Sequence, residues 1–240
     1  MSEFARLLRA RYRKLTKPAT VNLHGVTVRV DHPAVAANAK SFYKETYERA
    51  EIGLLRQTLR PGDRVVEIGA GVGLTAMVSA RIVGPENVLA FEANPAVIEA
   101  ARENAALNDM AIEFRNQILV SGPDAPASVP FHVNENFISS TAIAGREGAS
   151  REIEIPAAPL ETLIAEWRPT VLSLDIEGFE TELLGKLEDF GPVRSIVMEL
   201  HDHVVGQAAA DALLAHLAAK GFEPVPGLAE DKTQVFQREV

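Results

Sequence analysis

Arg64-Val65-Val66-Glu67-Ile68-Gly69-Ala70-Gly71-Val72-Gly73-Leu74-Thr75 is the stretch whose reading decides the fold of this chain. A short apolar run with β-branched residues ends in glycines at three alternate positions, and a helix-compatible stretch, 74–83, follows at once. That order predicts strand, tight turn and helix N-terminus, the arrangement that brings backbone close to a nucleotide-like ligand. Glycine is required there because a Cβ would block the approach or forbid the backbone angles. A dinucleotide turn spaces its glycines Gly-x-Gly-x-x-Gly. Here Leu74 stands where the third would fall, and an acid, Glu67, lies near the strand's end. A carboxylate is a poor neighbour for a pyrophosphate and a good one for a cation. S-adenosylmethionine carries an ammonium and a sulfonium but no phosphate, so the turn points to it rather than to NAD. Taken alone, the turn also admits a glycine bend with no ligand.

The next predicted strand, 87–91, ends in Glu92, 19 residues past Gly73. Nucleotide-binding α/β folds place an acid for the ribose hydroxyls at that distance, and two carboxylate oxygens suit two vicinal hydroxyls. Asn94-Pro95 reads as an N-cap and first helical residue. A third strand is expected over 112–120, with Asn116 and Gln117 near an adenine edge by analogy. Strand 170–174 delivers Asp175-Ile176-Glu177-Gly178 to the sheet's carboxyl end, where open α/β sheets bind ligands. Strand 194–200 is followed by His201-Asp202-His203. The alternation of strands and helices between 64 and 200 predicts a parallel sheet built from right-handed crossovers. Segments 222–225 and 233–237 are expected to close it as an antiparallel pair.

Glu67-x-Gly69-x-Gly71-x-Gly73 resembles motif I of class I S-adenosylmethionine-dependent methyltransferases. Phe91-Glu92-Ala93-Asn94-Pro95 and Leu172-Ser173-Leu174-Asp175-Ile176-Glu177-Gly178-Phe179-Glu180 are similar to stretches of the FkbM family of O-methyltransferases. That family usually carries lysine where Ser173 stands, so any role of that lysine is in doubt here. A Tyr-Glu pair of the family matches Tyr47-Glu48, and Asn104 and Asn108 fall where it often carries asparagines. The resemblance covers roughly residues 40–205. It implies a Rossmann-like class I methyltransferase fold, a mostly parallel seven-stranded sheet with an antiparallel C-terminal pair and a small β-hairpin insertion. Residues 1–60 would form an N-terminal extension and 61–240 the methyltransferase domain, with the hairpin at about 129–156. The implied cofactor is S-adenosylmethionine, held by Glu67, Gly69, Ala70, Gly71, Gly73, Glu92, Ala93, Asn94, Asn116, Gln117 and Asp175. Tyr47 and Glu48 would help close the pocket against the acceptor.

The 240 residues carry a net charge of −9, and residues 1–20 alone carry +5, which leaves −14 for the rest. So acidic a body repels a phosphate backbone, which argues against a nucleic-acid partner and for a small hydroxylated acceptor. Cysteine is absent, so neither a disulfide framework nor a thiolate metal site is available. No apolar run reaches membrane-spanning length and no signal-peptide core is visible, so a cytoplasmic location is expected. Phe4, Leu7, Leu8, Tyr12 and Leu15 recur at helical spacing with arginines mostly opposite, predicting a basic amphipathic helix. The expectation is a helix packed on the body or on a homodimer partner. An acidic partner or an anionic membrane is the alternative. A hairpin is predicted over 21–30 and one helix over 41–59. The Asn-, Ser-, Thr- and Gly-rich segment 134–150 reads as an insertion over the pocket mouth, with Ser139 and Ser140 as candidate substrate contacts.

Methyl transfer to a hydroxyl needs an aligned acceptor and a group that takes its proton. Asp175, Glu177 and His201 fall at strand ends facing the expected pocket, and His201, titrating nearest neutral pH, is the simplest general base. Asp175 or Glu177 would orient it or take the proton themselves. Capping of a helix start by Glu177, and a hydrogen-bonded role for His201 at a strand end, stand as the plainer alternatives. A metal shared by His201, His203 and Asp175 is the minor alternative, and no metal is expected. The competing functions are an RNA or amine N-methyltransferase, a non-catalytic S-adenosylmethionine-binding module and an NAD-dependent dehydrogenase. The first of these commonly places Asn/Asp-Pro-Pro-aromatic where this chain has Asp175-Ile176-Glu177-Gly178.

Overall fold

The computed structural model describes residues 3–134 and 149–239. Helix α1 (Glu3–Thr16) precedes a hairpin, β1 (Thr20–Leu23) and β2 (Val26–Arg29), and then helices α2 (Ala39–Lys44) and α3 (Arg49–Thr58). The glycine turn follows β3 (Val65–Ile68) and opens α4 (Leu74–Val83). Next come β4 (Val88–Phe91), α5 (Pro95–Leu107), β5 (Glu113–Arg115), β6 (Ile118–Val120), β7 (Ser128–Asn134) and β8 (Ala149–Pro159). The chain continues through α6 (Leu160–Trp167), β9 (Val171–Leu174), α7 (Glu180–Leu184) and β10 (Ser195–Glu199). It ends with α8 (Asp202–Val205), α9 (Gln207–Ala219), β11 (Glu223–Glu230) and β12 (Thr233–Gln237).

Seven strands form one sheet in the order β11-β12-β10-β9-β3-β4-β5. The pairs β10–β9, β9–β3, β3–β4 and β4–β5 are parallel, while β12 runs antiparallel to both its neighbours. The strand order reverses beside β3, so the crevice at the carboxyl ends of β3 and β9 is the place where such a sheet receives a ligand. Alternate strand residues point to opposite faces. Val66, Ile68, Leu172 and Leu174 pack on one face with α6, α7 and α9. Val65, Val171 and Val197 face α3, α4 and α5 on the other. Full burial of each such side chain contributes about 1.5–3 kcal/mol, which makes this two-faced sheet the frame for the site.

At the pole opposite the glycine turn, Asp63 Oδ1 accepts from Thr170 Oγ1 (2.9 Å) and Arg194 Nε (3.1 Å). That ties together the starts of β3, β9 and β10. The hairpin β1–β2 is attached through asparagines rather than a strand ladder. Asn104 Oδ1 accepts from Arg29 N, and Asn108 Oδ1 accepts from Thr27 N, each at 2.8 Å. Asn104 Nδ2 also donates to Val72 O (3.0 Å), so the same buried side chain steadies the glycine turn.

Three sequence expectations change. The helix expected over 41–59 is two helices, because Glu45 (φ 58°) and Glu48 (φ 50°) both adopt the left-handed region. Glu45 is clamped there by Arg9 Nε (2.9 Å) and Arg13 Nη1 (2.8 Å). The strand expected over 112–120 breaks at 116–117, so that β5 joins the main sheet while β6 pairs with β8. The hairpin β7–β8 therefore belongs to a second sheet, β6-β8-β7. Helix α1 is amphipathic as expected but inverted: Arg6, Arg9 and Arg13 meet the body, and Phe4, Leu7, Leu8, Tyr12 and Leu15 face solvent. Among the described residues no helix is long and apolar enough to cross a membrane.

Candidate active site

A cleft of about 800 Å³, counting its open mouth, lies at the carboxyl ends of β3, β4 and β9. Its floor is the glycine turn. Gly69 (φ 85°) lies so close to the strand-end backbone after β9 that a Cβ there would stand 2.0 Å from Asp175 O. On Gly71 (φ 52°) a Cβ would fall 2.6 Å from the Tyr47 hydroxyl and 3.2 Å from Glu48 Oε1. The break between α2 and α3 thus folds Tyr47 and Glu48 over the turn. Glu48 Oε2 accepts from Thr75 N (3.2 Å), capping the N-terminus of α4 from a neighbouring helix.

Glu92 closes the far side. Its Oε2 accepts from Gly71 N (2.9 Å) and its Oε1 from Asn94 N (2.7 Å), fixing the carboxylate with lone pairs left for a diol. Burial pushes it up to about 7 against those hydrogen bonds. Gln117 and Ala93 line the same side, and Ile68, Phe91, Leu119, Phe131, Ile176 and Phe179 supply an apolar wall.

The remaining wall comes from β9 and β10. Asp175 and Glu177 line the cleft, Glu177 in the left-handed region (φ 55°) that a side-chain-bearing residue adopts only when its surroundings hold it there. Behind them His201 is 3% exposed. Its Nδ1 lies 2.9 Å from Glu180 Oε1, an oxygen that also accepts from Ile176 N and Gly178 N. Its Nε2 is 3.6 Å from Asp175 Oδ1, 3.7 Å from Glu199 Oε1 and 4.0 Å from Glu177 Oε2. Burial opposes charge on His201. The hydrogen bond and charge of Glu180, with Asp175 and Glu177, outweigh it and raise its pKa to about 9. Burial, then the charge of Glu199, raises Asp175 to about 8 although His201 pulls it down. Glu48 and Glu51 are pushed well up by burial and by their acidic neighbours. So many carboxylates in one cleft favour a cation there.

The structure brings together on the cleft wall Tyr47, Glu48, Gly69, Gly71, Glu92, Ala93, Gln117, Asp175 and Glu177. Ala70 and Gly73 belong to the turn beneath. Asn94 caps α5, its Oδ1 accepting from Ala96 N (3.1 Å), and Asn116 Nδ2 donates to Glu92 O and Ala93 O (each 2.8 Å) behind the wall. Glu67 is off the wall too. The strand's alternation sends it to the α3–α4 face, 1% exposed, where Ser173 Oγ donates to its Oε1 (3.2 Å). Burial raises Glu67 to about 7 against that bond. Ser173 is paired directly across from Glu67. A lysine at 173 would therefore meet this carboxylate, and the serine leaves it without a cation. His201 differs from the simple-base expectation in its place: it lies off the cleft wall, with its Nδ1 taken by Glu180 Oε1. Ser139 and Ser140 lie outside the described residues. Sequence reasoning passed over Glu51, Glu180 and Glu199. Only Glu180 left a signal, as the last residue of the quoted Asp175-to-Glu180 stretch.

The strand order, the glycine turn at the switch point and the acid on the next strand define a Rossmann-like class I methyltransferase fold. Residues 67–224 match the model of the methyltransferase FkbM domain, and the chain belongs to that family. Its cofactor is S-adenosylmethionine, and the cleft fits it: glycines where Cβ atoms would collide, a fixed carboxylate for a diol, and acids for the positive charges. Ribosomal protein L11 methyltransferases of Bacillus cereus (strain B4264) and Bacillus anthracis (strain A0248) are 25% identical over 143 residues, 58% of this chain. The chain spans 45% of the length of these curated relatives. Ribosomal protein L11 methylase from Lactobacillus delbrueckii subsp. bulgaricus is similar with a TM-score of 0.42 and 16% identity, covering 79% of this chain and 77% of that one. M. jannaschii TYW2 in complex with AdoMet gives 0.45 and 11%, covering 92% and 86%. Likenesses this distant carry no argument.

Proposed function

We propose that the chain is an S-adenosylmethionine-dependent O-methyltransferase acting on a hydroxyl of a small molecule such as a sugar or polyketide. The observation that carries this reading is the group of Asp175 and Glu177 on the cleft wall, backed by Glu199 and His201, beside the glycine turn. When bound, S-adenosylmethionine supplies an electrophilic methyl group on a sulfonium with a neutral thioether as leaving group. The turn and Glu92 hold the cofactor, while Tyr47 and Glu48 cover it and exclude water. The apolar wall of Phe131, Ile176 and Phe179 orients the acceptor. The wall carboxylates receive the hydroxyl proton, and a carboxylate raised toward neutrality by burial does this better than an ordinary one. His201 does not line the cleft, so it acts as a positioning residue through Asp175 and Glu177.

An acid-lined cleft disfavours a polyphosphate substrate, which supports a small acceptor over RNA. A second reading, methylation of an amine, draws on the name of the curated relatives, ribosomal protein L11 methyltransferases. Incubation with labelled S-adenosylmethionine and a panel of hydroxylated and amine acceptors, with product analysis by NMR, separates the two. An O-methyl product is expected, and N-methyl products alone would overturn the reading. In the same assay His201→Ala, at a temperature where melts show the variant folded, is expected to lower kcat at least tenfold with S-adenosylmethionine affinity unchanged. Normal kcat would remove His201 from the machinery.

A further inference from the structure

We infer that Asp175, Glu177 and His201 form a binding site for one divalent first-row cation at the wall of the cleft. The site is argued from geometry, while its role at the acceptor oxygen rests on the hydroxyl-methylation reading above. One donor atom from each of the three residues lies within 4.8 Å of the others. His201 Nε2 stands 3.6 Å from Asp175 Oδ1 and 4.0 Å from Glu177 Oε2, beyond hydrogen-bond reach. With metal–ligand bonds of about 2.1 Å, neighbouring donors in a tetrahedral or octahedral shell stand about 3.0–3.4 Å apart. His201 Nε2 would close on Asp175 Oδ1 by about 0.2–0.6 Å and on Glu177 Oε2 by about 0.6–1.0 Å to meet one ion.

Two further observations point to a bound ion. Asp175 Oδ1 is enclosed by protein, in a side chain 29% exposed, and has no hydrogen-bond partner among the described residues. The enclosed ring of His201 is anchored at Nδ1 by Glu180, whose carboxylate is itself fixed by two backbone amides. That anchoring turns Nε2 into the carboxylate group, as a second carboxylate orients the histidines that ligate metals. A proton on Nε2 is the competing occupant, and its nearest paired carboxylate oxygen stands at 3.6 Å. Two carboxylates and one imidazole combine hard oxygen donors with a nitrogen donor, a set that Mn²⁺ satisfies on both counts. His203 does not belong to the site: its Nδ1 lies 2.9 Å from Lys232 Nζ. A cation held here would polarise an acceptor hydroxyl, and the uncoordinated oxygen of Asp175 or Glu177 would take the proton.

The test is Mn²⁺ binding to the full chain after chelator dialysis, read by electron paramagnetic resonance and calorimetry without any acceptor. One equivalent is expected. Asp175→Asn and His201→Ala should each weaken affinity at least tenfold, Glu180→Gln should do so through His201, and His203→Ala should leave affinity unchanged. Circular dichroism melts confirm that each variant is folded. Absence of uptake, or uptake indifferent to Asp175→Asn in a folded variant, overturns the site and leaves the O-methylation reading standing. Uptake together with N-methyl products alone would retain the site and discard that reading.

Discussion

Glu67→Gln replaces a buried carboxylate with an isosteric amide and should stabilise the protein progressively as pH rises above about 4.5. Glu67 is 1% exposed, and burial raises its pKa from 4.5 to about 7. A raised folded-state pKa means that the native state keeps its proton to higher pH than the unfolded chain. Stability from this group is therefore full below about pH 4.5 and is lost as pH climbs through about 7. At about 1.4 kcal/mol per unit, the loss is about 3 kcal/mol, complete by pH 8.5. The amide carries no charge to desolvate, and the Ser173 hydroxyl can still bond to it, so the variant escapes the loss. Urea unfolding without cofactor, followed by circular dichroism, should give similar stabilities at pH 4.5 and an advantage for Glu67→Gln of about 3 kcal/mol at pH 8.5. For a chain of this size that corresponds to roughly 5–10 °C in melting temperature. Removing the Glu67 charge also relieves Glu48 and Glu51, whose pKa values it raises, and that acts in the same direction with pH. An advantage that does not grow with pH would refute the reasoning.

Gly69→Ala drives a Cβ to 2.0 Å from the Asp175 carbonyl oxygen at φ 85°, so it should cost roughly 2–4 kcal/mol and weaken S-adenosylmethionine binding at least tenfold. Gly62→Ala, at φ 92° with nothing within 4 Å of the new atom, should cost only about 1–2 kcal/mol and leave binding intact. Calorimetry beside thermal melts checks both. Glu92→Ala removes the acceptor of Gly71 N and Asn94 N and should weaken S-adenosylmethionine by about 1.5–3 kcal/mol, roughly 10- to 100-fold. Unchanged affinity in equilibrium dialysis would count against its place at the diol.

Local chemistry alone determined much of this protein. The glycines of 69–73 announce a close backbone approach, β-branched runs announce buried strands, and Asn94-Pro95 announces a helix start, because each depends on a few consecutive residues. Glu92 was placed by its distance from the turn, which one strand–helix–strand unit sets. Only the tertiary structure decided which carboxylates face the ligand. Glu67 looked like a cation's neighbour, yet strand alternation and the helices above it turn it to the far face beside Ser173. Tyr47 and Glu48 reach the cleft because Arg9 and Arg13, some thirty-five residues upstream, hold Glu45 in a backbone conformation that breaks the helix. Helical periodicity has no term for a bond made at that distance. His201 looked like the residue that titrates nearest neutrality. Its surroundings are Glu180, Asp175 and Glu177, groups 21–26 residues away that only the packing of β9, α7 and β10 brings around one ring.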